Sequence, residues 1–397
     1  MPQGAARRGM MRMGRSTLRP IRIIPAEDLM TDRPDMTAEA LRAAAATVIL
    51  IDSVEMSQRG NLVAHRFIGH LRMEAQAAHD AVAPRFQALG YTALLQEGRG
   101  GVALEAMPGV FRPAPSRLWV ALLLFGLTVA STIAVGGQEL AGFNLGYGLA
   151  YSAALLSILL AHELGHYIVA RRAGVAVSYP FFIPLPPPVG ILGTMGAFIS
   201  IKEPVPNRRT LLAIAIAGPL AGLAVTVPVL LIGLSLSTVH SVAEMRLAMP
   251  DQAYFTEGNS LLYAAAKLLI FGKFLPGGGQ DVFLHPVAMA GWAGLLVTGL
   301  NLIPAGQLDG GHIFFALFGP RAAQIASMII AVLLLVMGFI WSGWFLWAVL
   351  VALLGRARAP LRNEVTPLQG PWRILAVVGL IVFVVVFTPV PITIGMP

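Results

Sequence analysis

The chain has no cysteine among its 397 residues. A disulfide framework, a thiolate nucleophile and any Cys-based zinc site are therefore excluded, and the redox compartment cannot be read from cysteine usage. Charge is the second scarcity. Only 12% of residues are Asp, Glu, Lys or Arg, while 56% are hydrophobic and the mean hydropathy is +0.73. Roughly a quarter of an ordinary soluble domain is charged. The charge is also crowded, because residues 1–116 hold 14 of the 28 basic and 11 of the 20 acidic residues. This pattern excludes one large soluble globule and equally a disordered chain. It predicts a small soluble N-terminal part joined to a long membrane part. Arginines in the loops of a membrane protein account for the formal net charge of +8, so no nucleic-acid partner is expected.

Three regions follow from composition. Residues 1–36 read as a flexible basic tail, Arg-rich with no acid before Glu27. A transit peptide and a plain cytoplasmic tail both fit it, and it lacks the apolar core of a secretory signal. Residues 37–112 read as a small α/β domain, a candidate regulatory unit, with strands at Thr47–Asp52, Asn61–Met73, Tyr91–Gln96 and Val102–Ala106 and a helix at Glu74–Leu89. His65, His70 and His79 lack metal-ligand spacing there and are expected on the surface. Residues 113–397 read as an all-α polytopic membrane domain of six to seven spans with a membrane-associated β-hairpin. Its uncharged runs are Leu118–Val135, Leu140–Ala161, Thr210–Val239, Pro286–Leu308, Ala322–Gly355 and Ile374–Pro397, with a turn at Trp341-Ser342-Gly343 splitting the fifth.

Orientation follows from the flanking cations. With a cytoplasmic N-terminus, Arg117, Arg171, Arg172, Lys202, Arg208, Arg209, Arg321, Arg356, Arg358, Arg362 and Arg373 share the cytoplasmic side. The far side receives Arg246, Lys267 and Lys273, with Glu139, Glu244, Asp251, Glu257 and Asp281 in water-accessible loops.

Against that background two acids stand at membrane depth, Glu163 and Asp309. An ionisable group there is costly and marks a functional site by default. Glu163 lies in His162-Glu163-Leu164-Gly165-His166 near the end of an apolar run. Residues four apart share a helix face, so both imidazoles can grip one Zn²⁺ with Glu163 close by as general base. A catalytic zinc takes three protein ligands as a rule, and without cysteine the third must be His, Asp or Glu. Asp309 fits, within Asn301-Leu302-Ile303-Pro304-Ala305-Gly306-Gln307-Leu308-Asp309-Gly310-Gly311-His312. Pro304, Gly306, Gly310 and Gly311 break the helix and let a carboxylate turn inward, which lipid tolerates only around a lined cavity.

These two segments together resemble the site-2 proteases, zinc metalloproteases that cut within membranes, over roughly residues 117–313. The resemblance implies one zinc held by His162, His166 and Asp309, Glu163 as catalytic base, and Asn301 steadying the substrate carbonyl or its oxyanion. Further matching stretches are Gly193-Thr194-Met195-Gly196-Ala197-Phe198-Ile199, Pro206-Asn207-Arg208-Arg209 and Ala217-Gly218-Pro219-Leu220-Ala221-Gly222. The part before the first span, with Ala88-Leu89-Gly90-Tyr91, is similar to that of some bacterial and plastid members. The loop over 240–285 is too short for the PDZ domain that others insert. The implied partner is a single-span membrane protein in the bilayer. The implied location is a bacterial inner membrane with a cytoplasmic N-terminus, or a plastid membrane.

The substrate helix must be unwound to be cut. Gly193, Thr194, Gly196, Ala197 and Phe198 can form a strand whose free edge pairs with extended substrate. Gly218 and Gly222 read as close helix packing by small residues rather than as a site. Two readings compete with a protease. One is a zinc transporter, which needs ionisable residues forming a path across the bilayer. The other is a catalytically silent membrane scaffold.

Overall fold

The computed structural model describes residues 34–59, 62–98, 100–111, 115–139, 142–244, 254–354 and 360–395. The tail expected flexible over 1–36 lies almost wholly outside these residues. The N-terminal unit is built from α1 (Pro34–Ala46), β1 (Ile49–Arg59), β2 (Leu62–Leu71), α2 (Ala75–Ala88), β3 (Tyr91–Gly98) and β4 (Gly101–Pro108). The strands and the second helix stand where turn and alternation signals predict them; α1 is additional. Its Leu41 and Ala45 are fully buried against Phe67, Val82 and Phe86, so α1 belongs to this core. Leu41→Ala should cost about 2–5 kcal/mol of the unit's stability. Thermal unfolding of the full chain checks this, and a change below about 0.5 kcal/mol would remove α1 from the core.

His65 and His79 are buried, not on the surface as expected. His65 stands on the inner strand β2, between β1 and β4, with its ring edge-on to Tyr91 at 6.3 Å between centroids. His79 sits on the buried face of α2 beside Asp80, and burial lowers its pKa below the ordinary histidine value.

Helices follow from Leu118: α3 (Leu118–Gly136), α4 (Leu145–Arg172), α5 (Arg208–Ser235), α6 (Leu261–Phe271), α7 (Pro286–Asn301), α8 (Asp309–Phe318), α9 (Pro320–Met337), α10 (Gly343–Leu354) and α11 (Pro371–Val386). Among the described residues α3, α4, α5 and α9 are long and apolar enough to cross a membrane, while α6, α7, α10 and α11 are shorter apolar helices. Asn144 caps α4 through Tyr147 N–H at 3.1 Å, and Asn207 caps α5 through Thr210 N–H at 3.0 Å. The α9–α10 pair turns at residues 338–342, as Trp341-Ser342-Gly343 predicts. The central core joins α4, α5, α7 and α8 through Tyr151, Leu155, Leu212, Ile216, Trp292 and Ile313.

An all-α description is too narrow for this half. It contains β5 (Gln138–Glu139), β6 (Gly142–Phe143), β7 (Phe181–Pro184), β8 (Thr194–Phe198), β9 (Val205–Asn207), β10 (Thr238–Ser241), β11 (Tyr254–Glu257), β12 (Gln280–Phe283), β13 (Leu361–Asn363) and β14 (Ile392–Gly395). The expected hairpin is β7–β8, paired antiparallel with Phe181 opposite Phe198. Ribbons β5–β6, β10–β12 and β11–β14 pair backbone between helices. Most consequential, β13 and β9 extend the N-terminal sheet in the order β1-β2-β4-β3-β13-β9, with β13 parallel to both β3 and β9. The N-terminal unit and the helical half therefore share one sheet.

Candidate metal centre

His162 and His166 lie one turn apart on α4, both buried, and Asp309 opens α8. Their ligand atoms converge. Asp309 Oδ2 is 3.3 Å from the Nε2 of each histidine, and the two Nε2 atoms are 3.1 Å apart. Among the described residues this is the one set of three His, Asp or Glu groups gathered closely enough to hold a metal ion. Two imidazole nitrogens and one carboxylate oxygen are a donor set that suits zinc.

The supports of these groups explain why they converge. His166 Nδ1 donates to the Ile214 carbonyl on α5 at 2.7 Å, which fixes the tautomer and leaves Nε2 for the cluster. The two helices approach closely because α5 carries glycines there. A Cβ at Gly218 would fall inside the His166 imidazole, and one at Gly222 would come 3.2 Å from His162 Cβ and Nδ1. The small residues of Ala217-Gly218-Pro219-Leu220-Ala221-Gly222 thus do pack helices, as expected, but what they pack against is the pair of ligand rings. Asp309 is turned inward by the break that the prolines and glycines predict. Helix α7 ends at Asn301, the backbone is irregular over 302–308 with Gly306 at φ +62, and α8 restarts at Asp309. A carboxylate in the first turn also suits the positive end of the helix dipole.

Glu163 is 4% exposed, and its Oε2 has no hydrogen-bond partner. It lines a cavity of about 220 Å³ together with His162, His166, Asn301, Asp309 and the strand end Ala197–Ile199. A buried carboxylate oxygen without a partner beside three convergent ligand atoms is what a proton acceptor at a metal requires. Asn301 Nδ2 is 3.4 Å from His162 Nε2, so its amide faces the same space. Of the hairpin residues singled out from sequence, Ala197 and Phe198 line this cavity. Gly193, Thr194 and Gly196 do not; Thr194 is buried, its hydroxyl bonded to the Ile183 carbonyl at 2.8 Å.

Two lining residues, Gln307 and His312, were not singled out beforehand. Both also border a second cavity of about 400 Å³, with Phe111, Phe198, Ile199, Ile201, Glu203 and Pro360 around it. The two cavities adjoin, sharing Phe198, Ile199, Ile201, Gln307 and His312 in their walls. The signal for His312 was its place one turn after Asp309 on the same helix face.

The expectation that Glu257 and Asp281 stand in water-accessible loops fails. Asp281 is buried, and Glu257 Oε1 lies 2.8 Å from the Tyr263 hydroxyl and 3.7 Å from Nζ of the fully buried Lys267. Glu257 ends β11 and Asp281 stands in β12, so both acids belong to paired ribbons, β11–β14 and β10–β12, and not to open loops. This cluster lines neither cavity.

Known proteins similar to this chain point to the same metal. Residues 150–341 match Peptidase family M50. The chain is 32% identical over 321 residues to "Probable zinc metalloprotease EGY1, chloroplastic" of Arabidopsis thaliana, covering 71% of this chain and 55% of that protein. It is 33% identical over 284 residues to "Probable zinc metalloprotease EGY2, chloroplastic" of the same plant, covering 69% and 49%. It is 31% identical over 314 residues to the EGY1 protein of Oryza sativa subsp. japonica, covering 71% and 52%. The chain thus spans about half the length of these relatives. No solved structure matches it.

Proposed function

Because the chain carries a domain of Peptidase family M50, the site-2 protease family, we propose that it is an intramembrane zinc metalloprotease that hydrolyses peptide bonds within or near transmembrane segments of membrane proteins. The observation that carries this reading is the single cavity in which three ligand atoms, an unpartnered buried carboxylate and a side-chain amide meet. His162, His166 and Asp309 would hold one zinc. Bound there, the ion supplies Lewis-acid polarisation of the scissile carbonyl and a lowered pKa for water. Glu163 accepts the proton of the attacking water and returns it to the leaving amine. Asn301 Nδ2 donates to the carbonyl oxygen as negative charge develops on it. The Ile214 carbonyl holds the His166 ring in orientation throughout.

The substrate we propose is a single-span membrane protein, extended by pairing alongside β8 so that its scissile bond reaches the cavity between Phe198 and Asn301. The adjoining second cavity takes the residues that flank this bond on the side of the N-terminal sheet. Six to seven spans are proposed, made of the four long helices and two or three of the four shorter apolar ones. The N-terminus lies on the side that carries Arg171, Arg172 and Arg209. Residues 37–112 form the domain that recruits substrate or regulates the site, and 113–397 form the protease domain. The named relatives are chloroplastic, which favours a plastid-type membrane over a bacterial inner membrane.

The test uses the full chain in proteoliposomes with a single-span substrate. Removal of metal by a chelator should abolish cleavage, and one equivalent of zinc per chain should restore it. Cleavage that persists in metal-free protein would sink the reading. Zinc flux in the same vesicles without cleavage would favour a transporter, for which the buried Glu257–Lys267–Asp281 cluster would supply a second ionisable station.

A further inference from the structure

The segment Pro206-Asn207-Arg208-Arg209 takes no part in the cavity chemistry, yet three consecutive side chains in it reach three different elements. Asn207 Nδ2 donates to Gln76 Oε1 on α2 at 3.1 Å. Arg208 Nη2 donates to Glu97 Oε1 on β3 at 2.8 Å. The Arg209 guanidinium lies 4.5 Å from the centre of the Trp372 ring on α11. Arg208 is the unusual member. It is only 5% exposed, at the head of a helix that carries no charge after Arg209. A buried guanidinium is costly unless a carboxylate answers it, and the answering carboxylate comes from the N-terminal sheet.

The other contacts of Arg208 lead to the ligands. Its guanidinium stands 5.8 Å from the Phe315 ring on α8, the helix that begins with Asp309. It also abuts the far end of that helix. Gly319 caps α8 at φ +85, and a Cβ there would come 3.2 Å from Arg208 Nη2, so glycine leaves the cation its room. A cation at a helix C-terminus is favoured by the helix dipole. Two turns into α5 from Arg208 stands Ile214, whose carbonyl holds His166. Ile214, Leu211, Phe315 and Ala170 form one buried cluster with Val205 of β9 and Leu361 of β13, the strands that join the N-terminal sheet. The sheet and the helix of Asp309 therefore meet at the Arg208 side chain, and the support of His166 lies on the same helix α5 in a buried cluster with Phe315, Val205 and Leu361.

We propose that Arg208 is a positioning residue that ties the ligand-bearing helices to the N-terminal sheet through Glu97, so that the N-terminal unit sets the geometry and metal grip of the His162, His166 and Asp309 set. The proposal rests on the zinc-site reading above, and its readouts do not all need proteolysis. The full chain in detergent micelles is compared with Glu97→Gln, Arg208→Lys and the charge swap Glu97→Arg/Arg208→Glu. Glu97→Gln is the gentlest change, because the Glu97 side chain is 39% exposed. Arg208→Lys keeps the charge but loses the planar fork.

Zinc retention against a chelator, hydrogen exchange of residues 309–318 in metal-free protein, and kcat and KM on a transmembrane peptide are read for each folded variant. Both single variants should lose zinc retention and kcat by roughly 10- to 100-fold with KM unchanged, and exchange in α8 should quicken. The swap should recover part of each loss. Folded Glu97→Gln that keeps wild-type zinc retention and α8 exchange would overturn the proposal, as would a swap no better than the worse single variant. Should Arg208→Lys fail to fold, Glu97→Gln alone decides. A wild-type chain that cleaves nothing would sink the protease reading, while zinc retention and exchange would still judge this one.

Discussion

Glu163→Gln is expected to lower peptide cleavage by about a hundred- to ten-thousand-fold while the protein still holds one zinc. The two side chains have the same shape, so the cavity wall is preserved. What is lost is an oxygen able to accept a proton. Glu163 Oε2 has no hydrogen-bond partner, so an amide nitrogen in its place breaks no bond at that atom, and the remaining oxygen can still accept from the Ile199 backbone. The proposed ligand atoms are those of His162, His166 and Asp309, so metal content should match wild type. Asp309→Asn makes the contrast, since it weakens a ligand and should lose zinc along with activity. Metal analysis and turnover on the same purified samples separate these outcomes. A zinc-loaded Gln variant that cleaves at the wild-type rate would remove Glu163 from the role of base.

The convergence of His162, His166 and Asp309 is legible from sequence because its signals are local. The i, i+4 histidines share a helix face by periodicity alone, and the proline and glycines after Asn301 announce the break that frees Asp309. Small residues on α5 were legible only as packing. Their spacing, Gly218 to Gly222, repeats that of His166 and His162 across the helix contact, but a pattern on one helix does not say which helix it meets. The sheet extension was hidden for a different reason. A three-residue strand such as Leu361–Asn363 has no periodicity of its own, and its pairing with Leu95 spans most of the chain. The buried Glu257, Lys267 and Asp281 were misplaced because a charged loop reads as solvated when its covering ribbons are out of view. Arg208 was read for its sign, as a cytoplasmic cation, and not for its burial.

Gly218→Ala should weaken zinc binding and cleavage together, by about 10- to 100-fold or more. Judged on helix propensity alone, alanine would stabilise α5 by roughly 1 kcal/mol over glycine. Packing decides otherwise, since the added Cβ would occupy the space of the His166 imidazole. Two adjustments are open. The ring can turn, which breaks its 2.7 Å bond to the Ile214 carbonyl and points Nε2 away from Asp309. Alternatively, α4 and α5 can separate, which is resisted where Gly165 faces the Ala217 carbonyl and forfeits core contacts at about 1–3 kcal/mol. Either path disperses the ligand atoms. Gly222→Ala supplies the comparison, because its nearest contacts to His162 are 3.2 Å and need a shift of only a few tenths of an ångström. Zinc titration of both variants, with thermal unfolding of the metal-free proteins alongside, should therefore show a graded loss, large at Gly218 and small at Gly222. Equal and wild-type affinities in both would mean that the α4–α5 approach is not what holds the imidazoles in place.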